Sequence, residues 1–257
     1  MNKMKTEKNT YTKKGASRIR KLYIAKLVGR CIILCLCAFL CWKKIEEFDV
    51  IYDFFADFSM LHLLWIIWMI DMICQLVPVK DRIALGSQKL FEQRFKPIRD
   101  KINYQNLRNY IISTTKSAYK IFIIWALLIG ALGVLYYKKI IGDVFLLMTS
   151  VVFYVCDLIC VLIWCPFRLI MRNKCCTTCR IFNWDHLMMF TPLLYVGGFY
   201  TRSLLLMAIA VWLLWEVSVM LYPERFWEFS NEALKCSNCT DKLCTQYCQK
   251  LRRPKTL

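Results

Sequence analysis

The sequence predicts an all-α polytopic membrane helix bundle of about six transmembrane helices, with both termini in the cytosol and a small cytosolic Cys-rich metal-binding cap. The chain has 257 residues, of which 58% are hydrophobic, and its mean hydropathy is +0.40. Several apolar runs reach about 20 residues, the length that an α-helix needs to cross a bilayer. Lys and Arg also collect in alternate loops, as membrane insertion requires. These features exclude an ordinary soluble domain.

Six apolar segments are predicted to cross the membrane. They lie at residues 24–42, 58–78, 121–137, 142–165, 186–201 and 203–222. The first contains Lys26 and Arg30, whose long side chains are expected to extend to the membrane surface. The fifth is short and contains Pro192, Gly197 and Gly198. Such residues are tolerated in membrane helices where neighbours satisfy the freed backbone groups.

The loop charges predict the orientation. Residues 1–30 contain ten Lys or Arg and one acid, Glu7, whereas residues 43–57 contain two Lys and five acids. The loop 79–120 again has ten basic residues against three acids, and the tail 223–257 has seven against four. Because basic loops stay in the cytosol, both termini are expected there. We expect a multi-pass location, in the plasma membrane if the chain is prokaryotic.

The net charge of +18 is explained by these juxtamembrane loops. Basic residues beside a membrane attract anionic lipid headgroups. The expected partner is therefore a bilayer with anionic headgroups, and nucleic acid is not favoured. A cytosolic protein partner or a second copy of the chain is a further possibility.

The chain divides into three parts by composition. These are the basic cytosolic N-terminal segment 1–22, the transmembrane bundle 23–222 and the Cys-rich cytosolic tail 223–257. Within the bundle, two cytosolic loops stand out, the basic amphipathic loop 79–120 and the Cys-rich loop 165–180. The first of these predicts either an interfacial helix or a hairpin of two short helices broken at Pro97.

Cysteines crowd the last loop and the tail, on either side of the final apolar hairpin. One Cys-x-x-Cys motif is Cys176–Cys179 and the other is Cys236–Cys239. If the intervening chain crosses the membrane twice, both motifs lie on the reducing cytosolic face, where thiolates bind zinc or iron. The candidate metal ligands are Cys175, Cys176, Cys179, Cys236, Cys239, Cys244 and Cys248. The tail spacing resembles a zinc knuckle, with Cys244 in place of the usual His.

Several arrangements of these thiols remain open. Cys176 and Cys179 could share one structural zinc ion with Cys236 and Cys239, which would join the loop to the tail. The tail could instead bind its own ion, or the thiols could remain free. An iron–sulfur cluster is the chemically active alternative. The corresponding functions are a membrane protein of unknown activity with a structural zinc site, or an oxidoreductase or electron-transfer subunit. Whether the protein is an enzyme stays open.

Carboxylates inside the predicted spans mark a second candidate site. Asp71, Asp157 and Glu216 each lie seven or eight residues before the cytosolic end of a span. At about 1.5 Å per residue, they sit roughly 10–12 Å from that end. Asp185 and His186 open the fifth span from the same face. Because charged groups at membrane depth usually face a cavity or each other, these residues predict an intramembrane polar pocket.

The pocket has two interpretations. It could hold a cation, a proton or a polar headgroup, which would suit a small transporter. Alternatively, the acids could pair with Arg30, Arg168 or Arg180 and serve only the structure. The sequence contains no phosphate-binding glycine loop, no His-Glu-x-x-His and no Gly-x-Ser-x-Gly. The glycines Gly130 and Gly133 are interpreted as helix-packing notches.

Overall fold

The computed structural model describes a helical protein. The residues that it describes are 18–43, 51, 54–55, 58–77, 92, 95–98, 102–172 and 179–235. Over these residues the α-helices are α1 (Arg18–Lys43), α2 (Met60–Leu76), α3 (Tyr104–Tyr137), α4 (Asp143–Leu162), α5 (Phe167–Met171), α6 (Asp185–Phe190) and α7 (Phe199–Leu221). None of the described residues belongs to a β-strand, and the predicted all-helical class is confirmed.

Four of these helices are long and apolar enough to cross a membrane, namely α1 over Arg20–Trp42, and α3, α4 and α7. The 17-residue helix α2 is equally apolar but shorter. Large apolar side chains point outward from the bundle, as with Leu127 of α3, which is 70% exposed, and Leu206 of α7, which is 68% exposed. Helices satisfy their own backbone groups, as the bilayer core demands. Length and composition are therefore consistent with a multi-pass integral membrane protein.

Helix α3 is longer than the predicted third span. It begins at Tyr104, where the Asn103 side chain accepts a hydrogen bond from the backbone N–H of Asn106, and it continues to Tyr137. No proline interrupts these 34 residues. The basic stretch that was expected to form a separate interfacial element is thus continuous, from Tyr104 onward, with the apolar half of the same helix.

The predicted fifth span is not one α-helix. Helix α6 gives way after Phe190 to a 3₁₀ turn, Thr191–Tyr195, and Gly198 has a φ of 101° immediately before α7 begins. Pro192 has no backbone N–H to donate, and a φ near +100° is accessible mainly to glycine. Pro192 and Gly198 therefore interrupt the helix that the apolar composition of residues 186–201 predicted.

The broken segment runs alongside α3. The Trp184 ring packs edge-on against Phe122, and the Tyr195 hydroxyl donates a 3.0 Å hydrogen bond to the carbonyl of Ile129. Tyr195 also closes over Gly133, where an added Cβ would approach its ring to within 2.7 Å of Cε1. Gly133 is therefore a packing notch. At Gly130 an added Cβ would meet no described residue within 4 Å, so the interpretation as a packing notch was wrong for Gly130 within the described part of the chain.

The start of the tail packs against the N-terminal end of α3 and the residues just before it. Pro97 and Asn231 form an isolated antiparallel bridge, and the N–H of Glu232 donates a 2.8 Å hydrogen bond to the carbonyl of Lys96. The ring of Trp227 stacks on Tyr110, with centroids 6.0 Å apart. Side-chain and backbone contacts together hold residues 223–235 against the bundle.

Candidate functional site

Arg30 is the centre of a charged cluster inside the bundle. Its Nη1 donates a 2.7 Å hydrogen bond to Oδ2 of Asp157 on α4, and its Nη2 donates a 3.1 Å bond to Oδ2 of Asp71 on α2. The same Nη1 lies 2.6 Å from the carbonyl oxygen of Tyr154, whose ring centroid is 3.8 Å from the guanidinium carbon. Arg30 is 7% exposed. The expectation that it would extend to the membrane surface was wrong, because two carboxylates bind it inside.

His186 and Asp185 bring α6 to the same cluster. His186 Nε2 lies 3.6 Å from Oδ2 of Asp71, and His186 Nδ1 lies 3.2 Å from Oδ1 of Asp185. Gln75, one helical turn after Asp71, places its Nε2 3.0 Å from His186 Nδ1 and donates a 3.4 Å bond to Asp185 Oδ2. Four helices, α1, α2, α4 and α6, thus meet at one polar centre.

Glu216 lies in a separate cluster. Arg180 binds both of its carboxylate oxygens, and the Trp184 Nε1–H donates a 2.8 Å hydrogen bond to Oε1. Trp215, which is fully buried, donates a 2.9 Å bond to the carbonyl of Arg180. Of the four acids and one histidine predicted to share one pocket, the structure therefore brings together Asp71, Asp157, Asp185 and His186, and it pairs Glu216 with Arg180.

A cavity of about 260 Å³ adjoins the Arg30 cluster. Its walls come from α3, α4, α5 and the chain from Cys179 to Met189. Apolar contributions include Trp125, Phe153 and Met188. The charged side chains in its lining are Asp157, Asp185 and Arg168. An apolar chamber with a few converging polar groups is the usual form of a small-molecule site.

The charges of the cluster do not cancel. Asp71, Asp157 and Asp185 contribute three negative charges when ionised, and Arg30 contributes one positive charge. His186 adds one more only when it is protonated. Unbalanced charge is costly in a medium of low dielectric constant. With His186 neutral, the excess negative charge is two in the cluster, and one when Arg168 in the lining of the adjoining cavity is counted. A proton on His186 or on a carboxylate would reduce it.

Most of the predicted metal ligands lie outside the residues that the structure describes. Cys175, Cys176, Cys236, Cys239, Cys244 and Cys248 lie outside the described residues. Cys179 is described, and it packs against an apolar cluster that contains Phe226. Within the part of the chain that the structure describes, no three His, Cys, Asp or Glu side chains are grouped so that they could hold a metal ion.

Three features of the site were not anticipated from the sequence. Gln75 and Tyr154 lie about one turn from Asp71 and Asp157, so helical spacing around each acid is the signal that could have found them. The third feature is the cavity, because apolar length does not reveal the space left between α3, α4, α5 and residues 179–189. Comparisons with protein-family models, with curated proteins and with solved structures find no match to this chain.

Proposed function

We propose that this protein is a six-span membrane protein that carries a small cation in exchange for protons at the Arg30 cluster. The crossings would be α1, α2, α3, α4, the segment 182–195 and α7, with both termini in the cytosol. Two observations support the fifth crossing. The segment follows α3 from Phe122 to Gly133, and α7 begins at its far end, where Tyr200 donates a 3.2 Å bond to the carbonyl of Leu61.

The unbalanced charge of the cluster carries the proposal. Two carboxylates, those of Asp71 and Asp157, bind the Arg30 guanidinium, and a third, that of Asp185, lies beside His186. Asp157 and Asp185 also line the cavity, together with Arg168. A cation that enters the cavity would displace the proton that neutralises the excess. Competition between a proton and a cation for the same carboxylates is the elementary step of proton-coupled exchange. Ionisable residues at membrane depth commonly serve such relays.

Proton efflux from vesicles tests this function. Purified protein in vesicles with an acidic interior and a trapped pH-sensitive dye is challenged with Na⁺, K⁺ or an alkylammonium ion. At least one cation should alkalinise the interior faster than it does in protein-free vesicles. Asp157→Asn should abolish the difference, because an amide cannot exchange a proton at this position. Asp143→Asn, at the outer end of the same helix, should retain it.

If none of these cations drives more proton efflux than in protein-free vesicles, cation transport by proton exchange is rejected. Equal efflux in the Asp157→Asn and unsubstituted proteins would reject Asp157 as the exchanging group. The amount of folded protein in each vesicle preparation should be matched by size-exclusion profile before the comparison.

Reporter fusions test the orientation. Alkaline phosphatase is active only outside the cytosol. A fusion after Lys139, in the turn between α3 and α4, should therefore be active, and a fusion after Leu257 should be inactive. Activity after Leu257 would reject a cytosolic tail. Activity at neither position would reject an outer turn at Lys139.

A structural zinc site is a second candidate function, and the packing of the two Cys-bearing segments favours it. Cys179 and Phe226 belong to one apolar cluster, so the loop and the first part of the tail converge on one face. We propose that zinc joins them through Cys176, Cys179, Cys236 and Cys239. Equal loss of one zinc ion in Cys179→Ser and Cys239→Ser would support a shared site. Loss only in Cys239→Ser would indicate a self-contained tail, and a brown protein would indicate iron–sulfur.

A further inference from the structure

We propose that the cavity beside the Arg30 cluster binds a small protonated amine with an apolar body, its ammonium group lying between Asp157 and Asp185. The inference rests on the proposed function, because it names the substrate class of the same site. It depends on three properties of the cavity, which are its size, its walls and the unused hydrogen-bonding capacity at one end.

The size of the cavity limits the ligand. Its volume of about 260 Å³ is roughly that of nine water molecules in the liquid, and it lies near the lower limit of small-molecule pockets. A molecule of this size has room for one aromatic ring or a short alkyl chain beside its polar group. A two-chain lipid is too large.

The walls suit an apolar body attached to a cation. Trp125 and Phe153 lie with ring centroids 5.0 Å apart, and both line the cavity. Aromatic faces attract ammonium groups as well as apolar surface. Met188 and Met189 complete this part of the lining with thioether side chains, which adapt to ligands of different shape.

The charged end offers acceptors that an ammonium group would satisfy. Asp185 Oδ1 is buried, and His186 Nδ1 lies 3.2 Å from it. Each oxygen of an ionised carboxylate can accept about two hydrogen bonds, so Oδ1 retains capacity for a bound N–H. Asp157 already binds Arg30 through Oδ2 and still lines the cavity. An N–H cation can therefore bridge the two carboxylates.

Arg168 supplies the selectivity against a second positive charge. It lines the cavity from α5, eleven residues after Asp157 in the chain. A diamine that placed one ammonium group at Asp157 would bring its other end toward this guanidinium. Repulsion between like charges is stronger in a medium of low dielectric constant than in bulk water. The site should therefore prefer monoamines to diamines of similar length.

Binding to the purified full-length protein in detergent tests the proposal. The probes are 4-phenylbutylamine, its neutral analogue 4-phenylbutan-1-ol and 1,6-diaminohexane, each measured by isothermal titration calorimetry. The amine should bind at least about tenfold more tightly than the alcohol, as expected for hydrogen bonds to a charged group. The diamine should bind more weakly than the monoamine. Asp185→Asn should remove most of the preference for amine over alcohol, and Asp143→Asn should leave it intact.

A cavity-filling variant covers the case in which Asp157→Asn or Asp185→Asn does not fold. Val161 lines the cavity and makes no charged contact, so Val161→Phe should weaken amine and alcohol alike by at least about tenfold. Equal affinity for amine and alcohol in the unsubstituted protein would overturn the proposal. Unchanged amine binding in Val161→Phe would do so too.

The two proposals fail separately. Amine binding with the stated selectivity, without cation-driven proton efflux, would support this inference and reject cation transport by proton exchange. Proton efflux driven by Na⁺ or K⁺, without amine binding, would support cation transport by proton exchange and reject the amine site.

Discussion

Arg30 on α1 lies 2.7 Å from Asp157 on α4, and this ion pair fastens the first helix of the chain to the bundle. Between Arg20 and Trp42, only Arg30 and Cys37 are fully buried. Apolar contacts accompany the ion pair, because Ile33, Leu34 and Cys41 of α1 also pack against the main apolar cluster. The pair therefore adds a polar link to a helix that otherwise packs through small and apolar side chains.

Removing the guanidinium should destabilise the protein strongly. Arg30→Leu leaves the half-buried carboxylates of Asp71 and Asp157 without their guanidinium partner, and breaking such a pair costs up to about 3–5 kcal/mol. The thermal unfolding temperature in detergent should fall clearly, and Arg30→Leu combined with Asp157→Leu should recover part of the loss. Lys26→Leu, an exposed position one turn earlier, is the control and should change little. A double variant less stable than Arg30→Leu would contradict the pairing.

Two glycines on α3 should respond oppositely to alanine. Gly133→Ala pushes a methyl group into the Tyr195 ring, so we expect a loss of about 1–3 kcal/mol. Gly130→Ala adds its methyl group to open space, and alanine is the better helix former by about 0.5–1 kcal/mol. Thermal unfolding of both variants measures the difference. Similar behaviour of the two would mean that Tyr195 does not pack on Gly133.

The Arg180–Glu216 pair should matter for stability and not for cation exchange. Glu216→Ala leaves a buried guanidinium and the Trp184 N–H without their acceptor, and it should cost about 3–5 kcal/mol. Under conditions where the variant stays folded, its proton efflux should match that of the unsubstituted protein. Loss of efflux in folded Glu216→Ala would place this cluster on the exchange pathway.

Cys165, just past the end of α4, should be the reactive thiol of the cavity. A hydrogen bond from the Cys160 thiol, with further ones from the backbone N–H groups of Phe167 and Arg168, lowers the pKa of Cys165 to about 7. Because the thiolate is the nucleophile, its alkylation rate should reach half its maximum near pH 7, against about 8.5 for an ordinary cysteine. Peptide mass spectrometry after timed iodoacetamide treatment measures the profile.

Variants of the neighbouring thiol check the cause. Cys160→Ala should move the midpoint upward, because it removes the donor, whereas Cys160→Ser should keep it low. A midpoint of about 8.5 in the unsubstituted protein would contradict the proposed hydrogen bond.

The sequence predicted what depends on composition and helical spacing. The lengths of the apolar segments predicted the ends of α4 and α7 to within a few residues and the end, though not the start, of α1. The shared distance of Asp71 and Asp157 from the ends of their predicted spans identified them as candidate site residues. The partner of each charged side chain could not be predicted from composition or spacing. Glu216 lies at a similar depth to Asp157, yet it binds Arg180, because the partner of a charge depends on which helix faces touch. Similarly, Gly130 and Gly133 differ only in whether Tyr195 covers them.

Helix α6 has a mechanical consequence for the site. It has six residues and is bounded by non-helical backbone at Asn183 and by the 3₁₀ turn that follows Phe190. Such a unit can tilt by rotating a few backbone torsions, whereas the long helices would have to slide as whole rods. Asp185 and His186 lie at its start and contact Gln75 and Asp71 of α2, and Phe190 at its end packs edge-on against Trp68 of α2. A rotation of α6 about the Phe190 contact would therefore move Asp185 and His186 together, and with them the carboxylate end of the cavity.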